Sequence, residues 1–435
     1  MTDGPHDSPQ VSPRQSPHDA PGATPRSTDP RGTDSAPADR NTLLLCGARL
    51  TDGRTVDVRL SGPRIEAVGT AGSLAAPADR PADGTRIDLR GYLLLPAPAE
   101  PHAHLDLALT AAGPPPGDTP EVQRRATEAA LLQLGHGATA LRSHVRIGDV
   151  PGLRALEAVL QARQALLGLI EVQAVAVPRV LTGAAGADGL SMLRDALKMG
   201  ASVVGGCPDL DPDPSGYVEA VLSLAAEFGV PVDLHTAAAD PGRLARLAAM
   251  AGGLRPGVTL GPCHGLAALP PEAAASAAAR LAAAGISVVA LPQGGCGVLD
   301  RGGVAPVRRL RAAGVRVAAG SGALGDLANP VGRGDPLEAA FLLATHGECA
   351  PDGSYEMIST QARAVLGLPE VRVEAGFPAE LLAVRGDNVA AVLSLAYSRV
   401  VIHRGRVVSR TSAVREYCDS ANAALDLPRQ AHRQA

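Results

Sequence analysis

Two histidines one residue apart, His102 and His104 in the run Glu100-Pro101-His102-Ala103-His104-Leu105-Asp106, have the spacing in this chain best suited to metal chemistry. In an extended strand, residues two apart point to the same side, so both imidazoles can aim at one divalent ion. A packed or solvated pair is the competing reading, because the bare spacing is common. His235 closes the run Val232-Asp233-Leu234-His235, and a histidine at a second strand end can converge on the same ion. His144, in Ser143-His144-Val145-Arg146, ends another run and is expected to line a pocket without binding metal. The glycine run at 294–297 resembles a phosphate cradle, although such a cluster is more often a flexible loop.

These side chains need a scaffold that brings distant strand ends together. Short apolar runs closed by turn signals occur at 92–98, 138–144, 167–177, 201–205, 231–235, 257–260, 286–291 and 315–319. Helix-patterned stretches separate them, with starts marked by Thr119-Pro120-Glu121, by 211–215 and by Pro270-Pro271-Glu272. Strand and helix alternating in this way predict an α/β fold, a (β/α)8 TIM barrel over 92–370, whose working face lies at the strand C-termini. Segment 41–91 carries short strands with DG and SG turns and segment 371–412 similar short strands, and together they predict a small discontinuous β-sandwich domain built from both flanks.

The first forty residues are rich in Pro, Ser, Asp and Gly and nearly devoid of large apolar side chains, so 1–40 is expected to be a disordered tail. Residues 413–435 form a second polar tail. Neither a signal-peptide core nor a bilayer-length apolar run of about 20 residues is present in the sequence, which predicts a soluble protein with no membrane partner. A net charge of −4 and a pI near 6.3 give no reason to expect nucleic acid. Six scattered cysteines, Cys46, Cys207, Cys263, Cys296, Cys349 and Cys418, lack CxxC spacing; they argue against a disulfide framework and a cysteine zinc site, and for a cytoplasmic setting. A small molecule is the expected partner, and a homo-oligomer stays open.

The passages LLLPAPAEPHAHLD, GASVVGGCPDLDPDP and VPVDLH, together with the flanking β segments and their IHRGRVV close, resemble the amidohydrolase superfamily, specifically its cytosine deaminase group, over about residues 41–412. The resemblance implies that His102, His104 and His235 bind one divalent ion, zinc or iron. It also implies a strand-eight aspartate as a further ligand and a glutamate after strand five that shuttles protons. The ion would generate hydroxide from water, which attacks an amidine-like carbon and expels ammonia.

Several positions depart from that pattern. The glutamate position is Ala238, in His235-Thr236-Ala237-Ala238, and the aspartate position is Gly322, in Gly320-Ser321-Gly322. Asp326 is the candidate to stand in for the aspartate. The family's strand-six histidine falls on Pro262, with His264 two residues on as its candidate replacement. After strand three, Arg179 occupies a position where a base-recognising side chain would sit, and its planar fork suits a carboxylate or phosphate; a surface ion pair is the alternative. With no tryptophan and 2% aromatics there is little to stack on a flat base. Two readings follow. One is a metal-dependent hydrolase acting on a C–N bond of a small cyclic or amide-like substrate. The other is a barrel that has lost catalysis and binds a small, anionic ligand or a partner protein.

Overall fold

The structure, a computed structural model, describes residues 42–74, 85–113, 117–148, 152–184, 186–296, 303–395 and 397–413. The expected tail at 1–40 and nearly all of that at 413–435 lie outside the described residues.

Eight parallel strands, paired in chain order, form the barrel: β1 (Ala99–Ala103), β2 (Ala140–Ile147), β3 (Glu171–Pro178), β4 (Val203–Gly206), β5 (Val232–Thr236), β6 (Val258–Pro262), β7 (Ser287–Ala290) and β8 (Val317–Ala319). Every residue of β1 and β4 to β8 is buried, as expected for strands with side chains packed inside the barrel and under the surrounding helices. Three of the helices share a start that the sequence spells out. Asp213-Pro214, Asp240-Pro241 and Asp335-Pro336 each place an aspartate at the N-cap, accepting backbone N–H bonds from the first turn, and a proline where no N–H is needed. Each cap fixes where a loop at the barrel's working face must end.

No ladder of described strands joins β8 to β1. A side chain closes that seam. The buried Glu100 carboxylate accepts from Ser321 N at 2.9 Å, Ser321 Oγ at 2.6 Å and His102 N at 2.9 Å, while Gly322 N donates to His102 O at 3.1 Å. A Cβ on Gly320 would stand 2.5 Å from Glu100 Oε1, so that glycine is what lets the carboxylate reach across.

The run at 92–98, expected to open the barrel, does not. Tyr92–Pro96 pairs antiparallel with Leu381–Arg385 in the flanking sheet, and the barrel begins at Ala99. The reason is burial on both faces: Leu93 and Leu95 pack in the main core and Leu94 in the core of the flanking unit, which yields the same unbroken apolar run as a barrel strand. The flanking unit is one mixed eight-stranded sheet drawn from both ends of the chain, ordered Arg406–Thr411, Arg399–His403, Leu381–Arg385, Tyr92–Pro96, Thr42–Arg49, Thr55–Ser61, Arg64–Thr70, with Thr85–Asp88 beside Thr42–Arg49. Among the described residues no helix is long and apolar enough to cross a membrane.

Candidate metal centre

His102 on β1, His144 on β2 and His235 on β5 all end on the same face of the barrel, and His104 follows β1 directly. All four are buried. Their ring centroids lie between 4.1 Å, for His102 and His144, and 5.5 Å, for His104 and His144. His104 Nδ1 lies 3.1 Å from the His144 carbonyl and donates to it, which leaves the Nε2 lone pair directed inward. There it faces His235 Nε2 at 3.4 Å. Two nitrogens about 2.05 Å from a tetrahedral zinc stand about 3.3 Å apart, so this separation matches one edge of such a site.

The electrostatics keep His102, His104 and His235 neutral, as ligation requires. Burial, reinforced by the neighbouring imidazoles, pushes His102 and His104 well below the usual histidine range, and burial pushes His235 down to about 3. Neither nitrogen of His102 has a hydrogen-bond partner, although the residue is fully buried. An unsatisfied buried imidazole costs about 1–3 kcal/mol, and an ion at this point would relieve it.

A charged layer lies against the cluster. Asp233, two residues before His235 and therefore on the same side of β5, takes a 2.8 Å bond from Arg142 NH1 and lies 3.3 Å from His144 Nε2. Burial alone would raise the Asp233 carboxyl, but His144 and Arg142 hold it below its ordinary value. Arg142 also donates from Nε to Gln173 Oε1 and from NH2 to Val365 O.

No family model matches the chain. It is 27% identical over 370 residues to a pterin deaminase of Rhizobium rhizogenes, covering 76% of this chain and 84% of the relative. Among solved structures, an N-isopropylammelide isopropylaminohydrolase from Burkholderia multivorans superposes with a TM-score of 0.75 at 26% identity, over 86% of this chain and all of that one. A 5-methylcytosine deaminase from Klebsiella pneumoniae, liganded with phosphonocytosine, gives a TM-score of 0.75 at 25% identity over 86% of this chain and 100% of that chain. The chain is a homologue of the amidohydrolases.

In this amidohydrolase homologue the two positions where the resemblance expects carboxylates, Gly322 and Ala238, both have left-handed backbone. Gly322, at the aspartate position, adopts φ +75°, and a Cβ there would meet Leu291 Cδ1 at 3.1 Å. An aspartate would be strained as well as crowded. Ala238, at the glutamate position, is also left-handed at φ +54° and donates its N–H to Thr236 Oγ1. A pocket of about 230 Å³ opens beside it, lined by Asp209, Thr236, Ala238 and Arg243 among others, but none of the four histidines lines it.

The other residues singled out from sequence fall as follows. Asp326 is buried and its Oδ1 accepts from Ala328 N and Asn329 N, so that oxygen organises the 326–329 turn; it is outside the histidine cluster. His264 is half-buried at the start of a short 3-10 turn, His264–Ala268, after β6. Arg179 is exposed just past β3. His144, expected only to line the pocket, lies within the cluster, and with His102 and Asp233 it makes a second group whose ligand atoms are within 4.8 Å of one another. Of the glycine run, Gly294 to Cys296 are described and the last glycine is not.

Sequence reasoning gave no role to Glu100, Arg142 and Asp233, and read Cys296 with the other cysteines as evidence against a cysteine zinc site. Asp233 had a signal, since it shares a strand face with His235 at the same two-residue spacing that marked His102 and His104. Glu100 stands in the same relation to His102. Its position makes a prediction: Glu100→Gln sets an amide N–H against a donor at the seam and is expected to lower unfolding free energy by about 1–3 kcal/mol, read from urea midpoints at constant slope. An unchanged midpoint would show that the β8–β1 seam is held by other contacts.

Proposed function

We propose that this protein is a metal-dependent hydrolase of the deaminase type, acting on the exocyclic C–N bond of a small nitrogen heterocycle. The observation that carries the reading is the set of buried, neutral imidazoles, His102, His104 and His235, gathered at one point of the barrel's working face. Zinc or iron fits this donor set. A divalent ion held there supplies a nucleophilic water at neutral pH and polarises the carbon–nitrogen unit under attack. His104 is locked by the His144 carbonyl in the tautomer that ligation needs. The His144 Nε2–Asp233 Oδ1 approach at 3.3 Å supports reading this pair as the proton-relay group beside the reacting centre, a task the methyl group of Ala238 cannot perform. Arg179, at the mouth past β3, suits an anionic substituent on the substrate.

The alternative of a barrel without catalysis finds no support among the homologues, which bear the names of working deaminases and amidohydrolases. The test is release of ammonia or alkylamine from pterins, N-alkylated hydroxytriazines and 5-methylcytosine by protein reconstituted with zinc or iron. Turnover of at least one of these, abolished by chelation and restored by metal, is expected. Stoichiometrically loaded protein that releases nothing from any of the three classes would overturn the reading.

A further inference from the structure

We propose that the fourth protein ligand of the metal centre is the thiolate of Cys296, taking the place of the strand-eight carboxylate and making a three-histidine, one-cysteine site selective for zinc. The inference rests on the metal-hydrolase reading above and specifies its ligand set. Cys296 lies in the loop after β7, far in sequence from the three histidines, yet it is fully buried. Its sulfur and one nitrogen each of His102, His104 and His235 all lie within 4.8 Å of one another. Tetrahedral ligands bound at about 2.0–2.3 Å stand about 3.3–3.6 Å apart, so an inward closure of at most about 1.5 Å between any pair is required.

A second, independent observation points to the same place: His102, buried in this group, has two nitrogens without partners. The loop is also braced. Gln293 Nε2 donates to Asp335 O at 3.2 Å and to Glu338 Oε2 at 3.0 Å, and Asn329 Nδ2 donates to Gln293 O at 3.3 Å. These bonds tie the segment leading to Cys296 to the Asp-capped helix Pro336–Thr345 and to the turn after β8.

Charge supports the exchange. On binding, the thiol loses its proton to solvent and the S–H bond is replaced by a metal–sulfur bond, so three neutral imidazoles and one thiolate carry the single negative charge that three imidazoles and one aspartate would carry. Gly322, strained for any side chain and crowded by Leu291, leaves β8 without a ligand at the usual position. Asp233 is the competing anion in the group His102, His144 and Asp233, but Arg142 already neutralises it at 2.8 Å. A soft sulfur ligand favours zinc over iron(II) or manganese.

The full chain loaded with cobalt(II) provides the test. Expected are one cobalt per chain and a near-ultraviolet sulfur-to-cobalt charge-transfer band, with Cys296→Ser losing the band while the weaker visible bands persist. X-ray absorption of the zinc-loaded wild type gives a check that needs no variant, and should show one sulfur at about 2.3 Å among nitrogen neighbours. One equivalent of metal with no sulfur neighbour, or a band that survives in Cys296→Ser, would overturn the assignment and leave the hydrolase reading intact. Wild type that takes up no stoichiometric metal would overturn both.

Discussion

Arg142→Ala is expected to lower the free energy of unfolding by about 3–5 kcal/mol, a large part of the roughly 5–15 kcal/mol by which a domain is stable. The guanidinium and the Asp233 carboxylate are both fully buried and 2.8 Å apart, so deleting one leaves the other charged, dehydrated and unpaired. The same change strips donors from Gln173 Oε1 and Val365 O, the latter in the last residue of the helix Thr360–Val365. Urea unfolding followed by circular dichroism measures the loss. Arg142→Met combined with Asp233→Leu removes both charges and is expected to cost less than the single change, because no uncompensated ion remains. A single variant as stable as the wild type would show that Asp233 is satisfied by His144 alone.

The second large effect concerns function and stability in opposite directions. His102→Leu removes a ligand but also a fully buried imidazole with two unpartnered nitrogens. In the absence of metal this variant is expected to melt at or above the wild-type temperature, since an apolar group of similar size has nothing left unsatisfied. With zinc at about 100 times its dissociation constant the wild type should gain about 2.7 kcal/mol, and the variant nothing. Turnover is expected to fall by about 10³-fold or more, because the ion supplies several kcal/mol of transition-state charge stabilisation at about 1.4 kcal/mol per factor of ten. Paired melts with zinc and with chelator, alongside product release, check all three. A variant that still gains stability from zinc would place the ion elsewhere.

The barrel was legible because its strands are short apolar runs closed by turn signals, and because proline-marked starts at 119–121, 211–215 and 270–272 announce several of its helices. Where the reading failed, at 92–98, the local pattern was right and its assignment wrong: a strand buried on both sides looks alike whether it lies in a barrel or between two cores. The histidines were legible for the same reason that Asp233 should have been, since a two-residue spacing on a strand has a fixed geometric meaning. Arg142 has that spacing too, two residues before His144 on β2, but Cys296 has none. Cys296 reaches the site from the loop after β7, and its proximity depends on barrel closure, which no local pattern encodes. That Ala238 and Gly322 stand where the resemblance expects carboxylates was visible as letters, but their left-handed backbone was not.

Tyr92–Pro96 has a thermodynamic consequence beyond its pairing. With Leu93 and Leu95 facing one core and Leu94 the other, this segment is a party wall, and neither unit can open along it without baring apolar surface of its neighbour. The flanking sheet and the barrel are thereby joined into one cooperative block, so the fluctuations that admit substrate must come from the loops at the barrel mouth and not from the two units parting company.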